Sequence, residues 1–274
     1  MDIKAFKMDG LGNDFVIIDQ RNQNLSWNRD QIIKICDRNF IGCDQLIFIE
    51  KDNTADARLK FFNSDGGESG ACGNGTRCVA NFISKENGKK NIILTTLSGN
   101  LKSEILENNL VITEIGEAKT KWNEIPLSNE LNTLNLNIKI NDKKNNEHFG
   151  GTAVNVGNPH VIFFVDEIQN FDISIIGPQL EVHKTFPEKC NVTIAQIINK
   201  NSIKVKVWER GAGLTKACGT AACATAFAGV LNKFTDNNIA IEFETGKLSI
   251  FIDDKNSIHM KGPVSDIKKI LIKL

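Results

Sequence analysis

The chain has no tyrosine among its 274 residues, only four histidines, and no surplus of either charge, since Lys+Arg and Asp+Glu both total 33. Without tyrosine, one type of general acid/base is missing from its chemistry. Zero net charge argues against nucleic acid or an anionic membrane surface as the main partner, because both demand basic excess. No apolar run approaches the ~18–20 residues that a membrane helix needs. The start, Met1-Asp2-Ile3-Lys4, has no apolar segment of the signal-peptide kind. There is no Cys-x-x-Cys, and the histidines lie apart from paired cysteines, so no metal site is expected. No lysine sits in a convincing context for pyridoxal phosphate.

What is present is a core-forming composition, 41% hydrophobic and 24% charged, which is neither disordered nor fibrous. The length exceeds one typical core and suits two domains. Seven cysteines, an odd number, in a chain too long to need disulfide staples point to free thiols in a reducing cytoplasm.

A repeat runs through the chain. Arg58-Leu-Lys-Phe-Phe-Asn63, a Gly-rich loop and Ala71-Cys72-Gly73 are matched by Lys204-Val-Lys-Val-Trp-Glu209, a Gly-rich loop and Ala217-Cys218-Gly219, 146 positions on. Gly12-Asn13 matches Gly157-Asn158 at 145, and Ser98-Gly99 matches Thr245-Gly246 at 147. Ordered matches at nearly one offset predict two homologous halves with a link somewhere in 116–150, read as connector plus a first strand. Short β runs are expected at 15–19, 45–50, 57–63, 92–97 and 101–105, and at 161–165, 192–198, 203–209, 239–244 and 248–252. One helix follows each Ala-Cys-Gly, about 73–87 and 219–232. The second is apolar nearly all round and should be enclosed on all sides.

The expected fold is α/β (α+β). It has two homologous, pseudo-two-fold related domains, each a curved, mostly antiparallel, barrel-like sheet around a central helix. The halves are placed at 1–118, joined by the C-terminal segment 264–274, and at 119–263.

The repeat puts Cys72 and Cys218 at the same point, the start of a helix after a Gly-rich loop. Unpaired N–H groups and the dipole there favour thiolate and bind anions. Gly73 and Gly219 let a ligand approach the backbone. If the halves meet face to face, one carboxylate is held by both sets of N–H donors with a sulfur on each side. That arrangement fits inversion of a carbon next to a carboxylate: one thiolate removes the α-proton and the opposite thiol protonates the other face. Charge building on the carboxylate is stabilised by preorganised donors, at roughly 3–4 kcal/mol each. Cys36, Cys43, Cys78, Cys190 and Cys223 are read as buried packing residues, and His148, His183 and His259 as surface or core residues.

Gly10-Leu11-Gly12-Asn13-Asp14-Phe15, Asn63-Ser64-Asp65-Gly66, Ala71-Cys72-Gly73-Asn74-Gly75-Thr76-Arg77, Gly157-Asn158-Pro159-His160 and Glu209-Arg210-Gly211 leading to Ala217-Cys218-Gly219-Thr220 occur in a specific order. In this the chain closely resembles the diaminopimelate epimerase family over essentially its whole length. The resemblance implies LL- and meso-diaminopimelate as substrate and product, in lysine and cell-wall precursor synthesis, and no cofactor. It implies Cys218 as acceptor from the L centre and Cys72 as donor. The reacting carboxylate would lie on N–H groups of Gly73-Asn74 and Gly219-Thr220. Asn13, Gln45, Asn63, Asn158, Asn191, Glu209 and Arg210 would contact the substrate, and His160 and Glu209 would tune the thiols. Arg for a distal carboxylate, Glu for an ammonium and neutral amides suit a diamino diacid. The chain departs from the family's frequent residues at Asp9, Leu214 and Ala221. It also lacks the tyrosine often found at the family's dimer interface, which bears on the implied homodimer.

Three other readings compete. Proline or hydroxyproline racemases of the same fold also use two cysteines, but their substrates would not need Glu209-Arg210 plus several Asn. A non-catalytic amino-acid binding module would exchange no α-proton. A thiol redox protein would cycle Cys72 and Cys218 through a disulfide.

Overall fold

The computed structural model describes residues 2–23 and 25–273; positions 1, 24 and 274 of the expected halves lie outside them. Among the described residues the structure is mixed α/β, mostly sheet with four α-helices. The chain divides into two compact units, Met1–Glu114 with Lys261–Leu274, and Ile115–Met260.

In the first unit, the strand Asp2–Gly10 pairs antiparallel with Lys268–Lys273 and with Asn13–Asp19. Asn13–Asp19 runs parallel to Gln45–Glu50, which pairs antiparallel with Ala57–Asn63. Ala57–Asn63 runs parallel to Asn91–Thr96, and the sheet continues antiparallel through Gly99–Ile105. The runs 15–18 and 46–49 are apolar at every position because both faces are covered. Alternation sends Val16, Ile18, Leu46 and Phe48 to a core with Ile32 and Ile35 of helix α1 (Arg29–Cys36). Phe15, Ile17, Ile47 and Ile49 face Val79 and Ile83 of helix α2 (Gly73–Asn87). Helix α2 touches strands 2–10, 13–19, 91–96 and 99–105, so sheet surrounds much of it.

The second unit repeats these pairings in register. His160 lies opposite Asn191 in a parallel pair, as Phe15 lies opposite Gln45. Ile203 lies opposite Ile241, as Ala57 lies opposite Leu94. Val161, Phe163, Val192 and Ile194 form one core with Ile173, Ile176 and Leu180 of helix α3 (Ile173–Glu181). Helix α4 (Gly219–Leu231) has every residue from 221 to 229 buried. It touches strands 152–155, 159–164, 191–199, 238–243 and 246–252. Its alanines keep the cylinder thin enough for strands on several sides, which is why no polar face is needed.

The link at 116–150 is more than a connector. Ile138–Asn141 and Glu147–Gly150 form a separate two-stranded sheet. Ile125, Leu127, Leu136, Ile138 and Ile140 bury into the α3 core. The Asn- and Lys-rich composition hid an apolar alternation that covers α3. No helix among the described residues is long and apolar enough to cross a membrane.

Candidate active site

Cys72 and Cys218 are the N-cap residues of α2 and α4, both with extended backbone (φ −144°, ψ 113° and φ −133°, ψ 118°). Each sulfur accepts the N–H of the third helical residue, Gly75 and Ala221, at 3.5 Å. This is the position an Asp or Ser oxygen takes in an ordinary cap. The two preceding N–H groups, of Gly73 and Asn74 or of Gly219 and Thr220, have no acceptor within their helix and mark the positive end of its dipole. The repeated Gly-Asn landmark is a backbone requirement: Gly12 and Gly157 have φ of 83° and 104°, a region that favours glycine.

Strand alternation explains which side chains accompany the thiols. Asn13, Gln45 and Asn63 have the same parity as Phe15, Ile47 and Phe61, residues of the α2 core. All three lie at strand ends, so they cluster at one edge of the sheet. In the first unit the Asn13 Oδ1 lies 3.9 Å from the half-buried Cys72 Sγ and accepts from Asn74 Nδ2 at 3.3 Å. Asn13 Nδ2 donates to Asp44 at 3.0 Å, and Arg38 bridges Asp44 and Asp14. Gln45 donates to Asn63 at 2.8 Å. Beneath them the fully buried Arg77 donates to Asn74 Oδ1 at 2.8 Å. The side chain of Asn74 is thus committed within the protein, which leaves its backbone N–H as its contribution to a ligand.

In the second unit Cys218 is 4% exposed. Burial pushes its thiol well above the usual range and the neighbouring Glu209 carboxylate adds to this, against the Thr220 hydroxyl and the Ala221 N–H. The Thr220 hydroxyl is 3.4 Å from the sulfur. His160 is fully buried, its Nε2 2.8 Å from Asn158 Oδ1. Burial, and then Arg210, depress its pKa to about 3, so it is a neutral imidazole at physiological pH. Asn191, also buried, accepts from the Arg210 N–H and donates to the Pro159 carbonyl, both at 3.0 Å. It ties the two motif turns together. Arg210 is exposed and donates to the Glu188 carbonyl at 2.9 Å.

The structure therefore joins Asn13, Cys72 and Asn74 in one bonded set, with Gln45–Asn63 as a second pair in the same unit. In the other unit it joins Glu209, Cys218 and Thr220, pairs Asn158 with His160, and links Asn191 to Arg210. Sequence reasoning did not single out Asp44, Arg38, Arg77 or Glu181. Only Arg77 carried a local signal, three residues after Asn74 on the same helix face. Asp44 meets Asn13 across 31 positions of chain, Arg38 meets Asp14 across 24, and Glu181 meets Trp208 across 27.

A thiol caps the same helix in each of two repeated units, with helix-start N–H groups beside it, and the repetition defines a duplicated α/β fold. Solved structures share that fold. A Bacillus anthracis phenazine biosynthesis protein of the PhzF family aligns over all of both chains with a TM-score of 0.70 and 16% identity. An Agrobacterium vitis hydroxyproline epimerase aligns over 99% of this chain and 91% of its own, with a TM-score of 0.71 and 10% identity. The family model for diaminopimelate epimerase matches residues 5–121 and 152–267, and the chain belongs to the diaminopimelate epimerase family. The Pelagibacter ubique diaminopimelate epimerase is 68% identical over the whole of both chains. That of Carboxydothermus hydrogenoformans is 40% identical over 97% of this chain and 98% of its own.

Proposed function

We propose that the chain inverts one α-carbon of LL-2,6-diaminopimelate to give meso-diaminopimelate, in lysine and peptidoglycan precursor synthesis, by a two-base thiol mechanism that uses no cofactor. The observation that carries the reading is the N-cap sulfur of each repeated helix. The two homologous halves, 1–118 with 264–274 and 119–263, each supply one of these sulfurs to the reacting carbon. Glu209, beside the Cys218 thiol, takes its proton, and the resulting thiolate removes the α-proton from the L centre. The C–H electron pair delocalises into the carboxylate, held by the N–H groups of Gly73, Asn74, Gly219 and Thr220. Cys72 then delivers its thiol proton to the opposite face. Arg210 binds the distal carboxylate and Glu209 an ammonium. Asn13, Gln45, Asn63, Asn158 and Asn191 orient the rest, and neutral His160 adds no charge to the thiols.

The free thiols fit a reducing, cytoplasmic compartment. The reading also includes a homodimer, which sedimentation of the purified protein tests. Incubation with LL-diaminopimelate and, separately, with proline decides the substrate. The expected result is meso product from the first and no racemisation of the second; activity on proline alone contradicts the proposal.

A further inference from the structure

The turn that carries Glu209 and Arg210 is held from outside by a residue with no part in the proposed chemistry. Glu181 ends helix α3, and its two carboxylate oxygens accept from different sides of that turn. Oε2 takes the indole N–H of Trp208 at 2.8 Å, and Oε1 takes the backbone N–H of Gly211 at 3.1 Å. Glu209 and Arg210 lie between these two anchors.

The helix is shaped for the contact. Gly177 and Glu181 are four residues apart and share one face of α3. A Cβ at Gly177 would stand 2.4 Å from Trp208 Cγ. The indole therefore lies directly on the helix, with its N–H reaching the carboxylate one turn on. Asn191 takes the Arg210 N–H at 3.0 Å, so side chains hold positions 208, 210 and 211 of the turn. Lys189 Nζ, 4.0 Å from Glu181, is the cation near the carboxylate.

We infer that Glu181 is a positioning residue for Glu209 and Arg210: its carboxylate clamps Trp208 and Gly211 so that the two charged side chains between them meet the substrate and Cys218 in one geometry. The inference rests on the proposed roles of those two residues. A carboxylate is needed because both anchors are donors, and only an acceptor-only group satisfies both. A Glu181→Gln side chain keeps one acceptor oxygen and loses one anchor; Glu181→Ala loses both.

The test is alkylation of Cys218 by iodoacetamide across pH, followed on the Cys218 peptide by mass spectrometry, together with kcat and KM for diaminopimelate. Glu209 raises the Cys218 thiol, so releasing the turn lowers the pH midpoint. We expect a fall of about one pH unit in Glu181→Ala, with Glu181→Gln between it and the parent. KM rises about tenfold as Arg210 loses its orientation, and kcat falls with it because Glu209 is displaced from the Cys218 thiol. A folded Glu181→Ala or Glu181→Gln protein with the parent's midpoint and KM overturns the inference. If Glu181→Ala does not fold, Glu181→Gln decides. The midpoint is read without turnover, so it stands even if diaminopimelate is not the substrate.

Discussion

A sulfur at an N-cap accepts a backbone N–H from its own helix, and its neighbours then set which protonation state rests there. For Cys218 burial and Glu209 outweigh the helix donors. Its alkylation by iodoacetamide at pH 7–8 is therefore expected to be slower than that of the same thiol in the unfolded chain, and to rise with pH beyond the ordinary thiol range. His160 gives a second expectation. Its folded pKa of about 3 lies below the ordinary 6.5, so between these values the unfolded chain binds more protons. Stability contributed by the neutral ring is complete above pH 6.5 and is lost on acidification toward pH 3, at about 1.4 kcal/mol per pH unit within the window. Chemical denaturation of parent and His160→Gln across pH 4–7 checks this, the variant showing the shallower loss. The N-cap cysteines were legible in the sequence because a repeat marked them twice. Glu181 and Asp44 were not, because each is matched to its partner only by the folded strands and helices.

At the scale of elements, alternation made most strands and both long helices readable, since doubly covered strands are continuous apolar runs and α2 and α4 follow Gly-rich loops. Helices α1 and α3 are eight and nine residues long, and α3 contains Gly177 and Pro178. Neither offers enough turns for a period to stand out. Close approach of α2 to its sheet also escapes a pattern of apolar residues. A Cβ at Gly75 would stand 2.8 Å from Ile47 Cδ1 and 2.9 Å from Phe61 Cε1, whereas the equivalent position in α4 is Ala221. Gly75→Ala is expected to lose about 1–3 kcal/mol through overpacking and to displace the start of α2. A lower Tm than the parent, with reduced turnover, is the readout; an unchanged Tm contradicts the packing argument.

At the scale of the whole chain, duplication supplies two thiols in homologous settings that differ in detail: Arg77 holds the Asn74 side chain two residues from the first, and Glu209 lies beside the second. Zero net charge leaves recognition of a zwitterionic substrate to such local groups. Each thiol has a separate task in the proposed reaction, so Cys72→Ala and Cys218→Ala are each expected to abolish epimerisation while circular dichroism stays that of the parent. The most direct test of the two-thiol account is the reaction of LL-diaminopimelate in D₂O, stopped early and read by mass spectrometry. The proton taken by one sulfur can return only to the face it left, and the opposite sulfur carries solvent deuterium. The account predicts one deuterium at the inverted carbon of the meso product and none in the recovered LL substrate. Early product that keeps the substrate's own hydrogen at that carbon would mean that a single base serves both faces, and would contradict it.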